Sequence, residues 1–258
     1  MTELTAISVR ADGATMSAPS NDPGRATGDA ERRPRAAGRT VTAIKSLLAA
    51  TAVAAMLSVG GLAVTGGSEA AALERLPTNA LAPFVTTSAR TALDSHDKYL
   101  ATGDAAAYRS FIYHRTQTAE LAATELGYGA TDMVDAWANT SEVHQRAVLA
   151  AMTQVGVPYR TNTSKPDVGF DCSGLTTYAF SQAGVQLTRQ SGAQIREAQP
   201  LDRATAKAGD LVQYPGHVMI YLGVGDAVVH SVMTGRTVEI DTISERRSNS
   251  VRFGDPTS

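Results

Sequence analysis

The sequence predicts an α+β fold in which helices precede, and pack on, an antiparallel sheet. The first observation is a series of helix-like segments, rich in Ala, Glu and Leu, between residues 88 and 155. The second is a group of short strand-like runs between residues 210 and 240, separated by turn residues such as Pro215-Gly216. Helices that are followed by adjacent short strands, and do not alternate with them, indicate an α+β domain with antiparallel pairing.

The composition divides the 258-residue chain into four parts. A basic leader, predicted to be disordered, covers residues 1–45, and an uncharged apolar run lies within the next part, residues 46–72. Residues 73–140 are predicted to form a linker and a helical region. Residues 141–258 contain the strand-like runs and the single cysteine, so they form the predicted domain that carries the chemistry.

The beginning of the chain has the pattern of an export signal. A basic leader is followed by the apolar run of residues 46–68 and by a small-residue stretch that ends near Ala72, where cleavage is expected. Crossing a bilayer takes roughly 20 apolar residues, so an uncleaved membrane anchor through residues 46–68 is the alternative. The net charge of −2 gives no reason to expect nucleic acid as a partner, and the composition indicates no oligomeric state.

Helices are predicted between the apolar segment and the cysteine. Residues 73–87, rich in Pro, Thr and Asn, are expected to be irregular. The predicted helices cover residues 88–107, 108–127, 132–139 and 141–155. The third of them contains Trp137, the only tryptophan. His96, His114 and His144 lie in this region without the spacing of a metal motif, so we expect surface or packing roles for them.

Cys172 is the only cysteine of the chain. One cysteine cannot form an internal disulfide, so an exported protein of this sequence carries a free thiol. The thiol stands at the start of a helix-like segment, after the candidate N-cap Asp171, where the unpaired amides of a helix favour a thiolate. The residues alone leave two interpretations open, a reactive nucleophile and a small buried core residue.

Two histidines on predicted strands are candidates to act on that thiol. His217 opens an apolar run directly after Pro215-Gly216, and His230 ends the next run. Antiparallel pairing brings neighbouring strands together, so His217 is the candidate general base and His230 the candidate group that orients it. A zinc site of Cys172, His217 and His230 is the alternative, but no further cysteine or clear acidic ligand accompanies them, and no metal is predicted.

Four separated blocks of the sequence form a recognisable pattern. They are Gly156-Val157-Pro158-Tyr159, Asp171-Cys172-Ser173-Gly174-Leu175, Gly209-Asp210-Leu211-Val212, and Gly216 to Gly223 followed by Val229-His230. In this order and spacing they resemble the NlpC/P60 family of cysteine peptidases, over about residues 141–245. The resemblance implies a compact papain-like α+β domain, without a cofactor, that hydrolyses stem peptides of bacterial cell-wall peptidoglycan. Typical members cut between a D-γ-glutamyl residue and the following diamino acid.

The resemblance also implies roles for residues that match the family motifs. The implied catalytic set is the nucleophile Cys172, the base and later acid His217, and the orienting His230. Tyr159 matches a tyrosine that helps to shape the oxyanion site, although a packing role would explain it as well. Asp171 and Ser173 match residues that contact the amino end of the substrate in some relatives, and helix capping is an equal alternative for both. Arg189 matches a segment that often borders the cleft.

One stretch departs from the family pattern. Many members carry Trp-Gly-Gly soon after the tyrosine, whereas Arg160-Thr161-Asn162-Thr163 follows here, which leaves the substrate-side contacts open. Two rival functions remain, an amidase or acyltransferase that uses the same three residues, and a non-catalytic wall-binding module. The expected partners are peptidoglycan stem peptides, and the expected location is secreted or associated with the cell wall.

Overall fold

A computed structural model of the protein describes residues 79–258. The predicted leader, residues 1–45, and the apolar segment, residues 46–72, lie outside this range, and so does the export prediction that depends on them. Among the described residues, none of the helices combines the length and the apolar character that crossing a membrane requires.

The described residues form helices and strands in the order that the sequence predicts, with additional short elements. The helices are α1 (Ala82–Thr102), α2 (Ala105–Leu126), α3 (Ala130–Ala138), α4 (Glu142–Met152), α5 (Cys172–Gln182), α6 (Ser191–Glu197) and α7 (Glu245–Ser248). The strands are β1 (Ser164–Lys165), β2 (Gly169–Phe170), β3 (Gln199–Leu201), β4 (Leu211–Tyr214), β5 (His217–Tyr221), β6 (Ala227–Ser231), β7 (Val238–Thr242) and β8 (Arg252–Asp255).

Six of the described strands form one antiparallel sheet in the order β3-β8-β4-β5-β6-β7. Strands β4 to β7 are neighbours both along the chain and in the sheet, because short turns connect them. Strand β8, near the end of the chain, returns to lie between β3 and β4. Strands β1 and β2 form a separate hairpin that contacts α5. The predicted α+β class with an antiparallel sheet is therefore confirmed.

A large hydrophobic cluster joins the helices to one face of the sheet. It contains Trp137 of α3 and Ile220 of β5, both almost fully buried, and the Trp137 Nε1–H donates to the carbonyl oxygen of Leu222 at 3.0 Å. Met219 and Tyr221 point to the opposite face and pack in a smaller cluster. Since side chains alternate along a strand, β5 is covered on both faces. The helices that precede residue 140 share their core with the sheet.

The first helix begins earlier than its composition predicts. Helix α1 starts at Ala82 and not at residue 88, because Pro83 lies in the first turn, where a missing N–H costs nothing. Val85 is fully buried, so tertiary packing also stabilises this turn. The break between α1 and α2 lies at Gly103, which adopts φ of 69°, and Asp104 caps α2 with a bond from the Ala106 amide at 2.8 Å. The predicted boundary near residue 107 is therefore wrong.

Candidate active site

Helix α5 presents Cys172 at its first position. Asp171 is the N-cap, and its Oδ1 accepts the backbone N–H of Gly174 at 2.7 Å. The Sγ of Cys172 lies 4.0 Å from the carbonyl oxygen of Gly216. The backbone amide of Val218 favours the thiolate form and so lowers the thiol pKa, against the larger opposite effect of burial. The thiol therefore lies beside the backbone that leads into the first residue of β5.

That residue is His217, and its ring contacts His230 on the neighbouring strand β6. The Nε2 of His217 and the Nδ1 of His230 are 2.8 Å apart, with the ring planes inclined by 78°. Both side chains are buried. Because Nε2 of His217 is engaged, Nδ1 is the nitrogen that remains for another partner. The structure thus brings Cys172, His217 and His230 to one place, as expected from antiparallel pairing.

The protonation states of Cys172 and His217 differ from the expectation for a thiol at the start of a helix. Burial raises the pKa of Cys172 above its usual range, and the amides of Val218 and Ser173, which favour the thiolate, only partly oppose this effect. Burial, followed by the charge of His230, lowers the pKa of His217 to about 3. The expected lowering of the thiol pKa is therefore wrong. At neutral pH the thiol and the imidazole of His217 are both uncharged.

Asp171 and Ser173 are held by Arg189 beside the thiol. The guanidinium of Arg189 donates to both carboxylate oxygens of Asp171, at 2.8 and 2.7 Å, and to the Ser173 hydroxyl at 2.8 Å. With the Gly174 amide added, the Asp171 carboxylate is well supplied with donors inside the protein. The described contacts of Asp171 are thus those of a helix cap and an ion pair, the structural alternative left open by the sequence.

These contacts predict a pH-dependent contribution of Asp171 to stability. Burial opposes ionisation, but the Arg189 and Gly174 hydrogen bonds outweigh it and hold the pKa of Asp171 below its usual value. A lowered pKa in the folded state means that the stabilisation is complete above the unfolded pKa of about 3.9 and is lost as pH falls through the folded value. We expect Asp171→Asn to be less stable than wild type at pH 7 in urea unfolding, with a smaller difference near pH 3.

Asp97→Asn is the matched control for this prediction. Asp97 forms an exposed ion pair with Arg146, and such pairs contribute about 0–1 kcal/mol. A stability difference between wild type and Asp171→Asn that stayed constant from pH 7 to pH 3 would contradict the ion-pair account.

Tyr159 lies in the stretch that leads to the hairpin of β1 and β2. Its backbone N–H donates to the carbonyl oxygen of Arg236 at 2.8 Å, and it forms a β-bridge with Phe170. The pKa of its phenol is raised by burial and then by the neighbouring Cys172 and Asp171. The phenol therefore keeps its proton at neutral pH, so it can donate a hydrogen bond.

The stretch that departs from the family pattern packs against the first turn of α5. The Nε–H of Arg160 donates to the carbonyl oxygen of Val168 at 2.9 Å, and Asn162 adopts φ of 56°. The carbonyl oxygen of Thr163 accepts the Asp171 amide at 3.0 Å. A Cβ built on Gly174 would lie 2.1 Å from that same oxygen. This stretch therefore forms a tightly fitted wall beside the thiol.

Two further side chains border the histidine pair. Tyr214 stacks on His217, with ring centroids 5.1 Å apart, because a two-residue turn makes the two residues register partners. The turn Pro215-Gly216 was recognisable in the sequence, and it could have placed Tyr214 opposite His217 on the neighbouring strand. Asp241, on β7, has its Oδ2 3.6 Å from the Nε2 of His230. The predicted strand ended at residue 240, so sequence reasoning missed this aspartate.

Among the described residues, one group of side chains has the proximity that metal binding requires. Candidate ligand atoms of His144, Asp210 and Asp255 all lie within 4.8 Å of one another. The Nε2 of His144 lies 3.2 Å from Asp210 and 3.3 Å from Asp255, while Thr257 donates to Asp255. The contacts of His144 on α4 with Asp210, directly before β4, and with Asp255 of β8 account for this group.

Comparisons with known proteins agree on one region of the chain. Residues 156–254 match the model of the NlpC/P60 family. Murein DD-endopeptidase MepH of Escherichia coli is 36% identical over 109 residues, which are 38% of this chain and 40% of MepH. Peptidoglycan endopeptidase RipB of Mycobacterium tuberculosis is 36% identical over 115 residues, 38% of this chain and 48% of RipB. The chain therefore spans less than half the length of these relatives.

A similar chain of known structure is RipD of Mycobacterium tuberculosis, described as a non-catalytic NlpC/p60 domain protein. It is 25% identical, with a TM-score of 0.37, and the similarity covers 45% of this chain and 98% of RipD. The match to the family model runs from just before Tyr159 to strand β8 and includes Cys172, His217 and His230. Residues 156–254 of this chain therefore form a domain of the NlpC/P60 family.

Proposed function

We propose that the protein is a peptidoglycan endopeptidase that cleaves stem peptides by a cysteine mechanism. The observation that carries this proposal is the arrangement of the thiol beside β5 and the 2.8 Å contact between His217 and His230. A nucleophile, a base and a group that orients the base are what acyl transfer to water requires. The endopeptidase names of the relatives support the same class of reaction.

In the first step, Cys172 transfers its proton to the Nδ1 of His217 while Sγ attacks the carbonyl carbon of the scissile bond. Since both groups are uncharged at neutral pH, thiolate and imidazolium form together, and each charge stabilises the other. The new S–C bond leaves a negative charge on the carbonyl oxygen. The amide of Cys172, in the first turn of α5, and the protonated phenol of Tyr159 are the candidate donors to that oxygen.

In the second step, His217 gives the proton to the leaving amine, and the C–N bond breaks to leave a thioester on Cys172. A water molecule then loses a proton to His217 and attacks the thioester carbonyl. The C–S bond breaks, the carboxylic acid leaves, and the thiol takes back the proton. His230 keeps the His217 ring oriented through both steps, because their contact does not involve the nitrogen that exchanges protons.

The proposal also concerns which bond of the stem peptide is cut. The family resemblance points to the bond between D-γ-glutamate and the diamino acid, whereas the name of MepH specifies a DD-endopeptidase. Arg189, Asp171 and Ser173 border the thiol, but they are bonded to one another, so they offer a polar wall more readily than free substrate contacts. We further propose that the export pattern of residues 46–72 delivers the domain to the cell wall.

Digestion of purified peptidoglycan tests the proposal. The full chain and its Cys172→Ala variant are incubated with the polymer, and the soluble fragments are identified by mass spectrometry. We expect peptide fragments from the wild-type protein and none from the variant. The new amino end in the fragments distinguishes the D-γ-glutamyl bond from a DD bond between crosslinked stems.

Three results would contradict the proposal. Equal cleavage by both proteins would exclude the cysteine mechanism. Binding of both proteins to the polymer without fragments would favour a non-catalytic wall-binding module, while acyl transfer to an added amine without hydrolysis would favour an acyltransferase.

A further inference from the structure

The buried ring of His230 has one nitrogen that its known contact does not use. Its Nδ1 faces His217, and within residues 79–258 its Nε2 is buried without a hydrogen-bond partner. Buried polar atoms are almost always paired in proteins, so an unpaired one inside an active site calls for a specific explanation.

Two carboxylates on β7 lie on the same side of the sheet as His230. Glu239 is the register partner of His230, but its carboxylate is occupied by the guanidinium of Arg236 and by the amide and hydroxyl of Thr237. Asp241, two residues further, has its Oδ2 3.6 Å from Nε2 of His230. Asp241 is therefore the carboxylate that is available to His230.

We propose that Asp241 is a positioning residue of the site, which accepts the Nε2 proton of His230 and thereby selects the tautomers of both histidines. The distance of 3.6 Å is slightly longer than a hydrogen bond, and such contacts commonly tighten when substrate binds. The pKa of Asp241 is lowered, chiefly by His230, which keeps the carboxylate an acceptor at neutral pH. Arg236, whose Nη2 is 3.7 Å from Oδ2, holds the other side of the carboxylate.

The consequence for catalysis follows from the two nitrogens of each ring. When Nε2 of His230 carries its proton toward Asp241, Nδ1 of His230 is an acceptor. His217 must then donate from Nε2, which leaves its Nδ1 unprotonated and able to take the proton of Cys172. In this role Asp241 acts through His230 and touches neither substrate nor thiol. This catalytic consequence rests on the proposed cysteine mechanism, but the tautomer assignment does not.

Nitrogen-15 NMR of the histidine rings tests the assignment without any substrate. In the wild-type protein we expect a protonated Nε2 on both His217 and His230 and an unprotonated Nδ1 on both. In Asp241→Ala the His230 resonances should move toward the average of the two tautomers. A wild-type His230 protonated on Nδ1, or unchanged ring shifts in a folded Asp241→Ala variant, would overturn the proposal. The wild-type spectrum tests the tautomer assignment even if the Asp241→Ala variant does not fold.

Alkylation of Cys172 by iodoacetamide at pH 7 gives the functional readout. Loss of a general base costs roughly 10²- to 10⁴-fold, and a residue that acts through its partner should cost less, about 10-fold. Asp226→Ala is the control, because Asp226 pairs with Arg203 in the turn before β6. Equal alkylation rates in Asp241→Ala and Asp226→Ala would overturn the catalytic consequence. If the expected tautomers and alkylation rates are observed but peptidoglycan is not digested, only the proposed function is overturned.

Discussion

His217→Ala should lose peptidase activity by roughly 10²- to 10⁴-fold, the usual contribution of a general acid–base group. The expected loss is large because the pKa of Cys172 is raised by burial, so the thiol ionises poorly without a base beside it. His217 directly follows Gly216, whose carbonyl oxygen lies 4.0 Å from Sγ. The kcat/KM for peptidoglycan fragments is the measurement, and His114→Ala, a histidine on α2, is the control.

The pH dependence of Cys172 alkylation separates a base from a structural histidine. In His217→Ala the thiol must ionise to solvent, so the alkylation rate should fall most at neutral pH and approach the wild-type rate at strongly alkaline pH. An alkylation profile identical to that of wild type would mean that His217 does not activate the thiol, whatever the loss of activity.

Gly174→Ala should reduce both stability and activity, although alanine is the better helix former. In an exposed helix this exchange stabilises by roughly 1 kcal/mol. Here the new Cβ would lie 2.1 Å from the Thr163 carbonyl oxygen, a backbone atom that also accepts the Asp171 amide. Overpacking of this kind costs about 1–3 kcal/mol, so the steric effect exceeds the gain in propensity.

The loss of activity from Gly174→Ala follows from the position of the thiol two residues earlier. Separation of the Thr163 segment from the first turn of α5 displaces Cys172, and a misplacement of about 1 Å costs roughly 10²-fold in rate. Gly192→Ala in α6 is the matched control, since its Cβ would meet only the flexible end of Arg196 at 3.3 Å. Thermal unfolding and kcat are measured for both variants. A Gly174→Ala protein with wild-type stability and rate would contradict the close packing of Gly174 against the Thr163 carbonyl oxygen.

The elements around the site were predictable because their determinants are local. The turn Pro215-Gly216 sets the register of β4 against β5, and short connections make β5, β6 and β7 neighbours. Asp171 marks the start of α5 with a side chain suited to capping. These signals were sufficient to bring Cys172 and the two histidines together.

Other features depend on contacts between distant parts of the chain. Strand β8 inserts between β3 and β4, and no local pattern specifies that return. Both sides of β5 are apolar in sequence, so only the packing of the helices decides that Ile220 faces them. Asp241 was missed because the predicted strand ended at residue 240, two residues before the end of β7. The raised pKa of Cys172 was missed because helix position is visible in a sequence and burial is not.

The most direct test of the central claim uses the fact that the chain has a single cysteine. The native protein is titrated with iodoacetamide, the modified fraction is measured by intact-protein mass spectrometry, and the peptidoglycan-digesting activity of each sample is recorded. If Cys172 is the nucleophile, the remaining activity equals the unmodified fraction and reaches zero when one group has been added per chain. Substantial activity in fully modified protein would contradict the account.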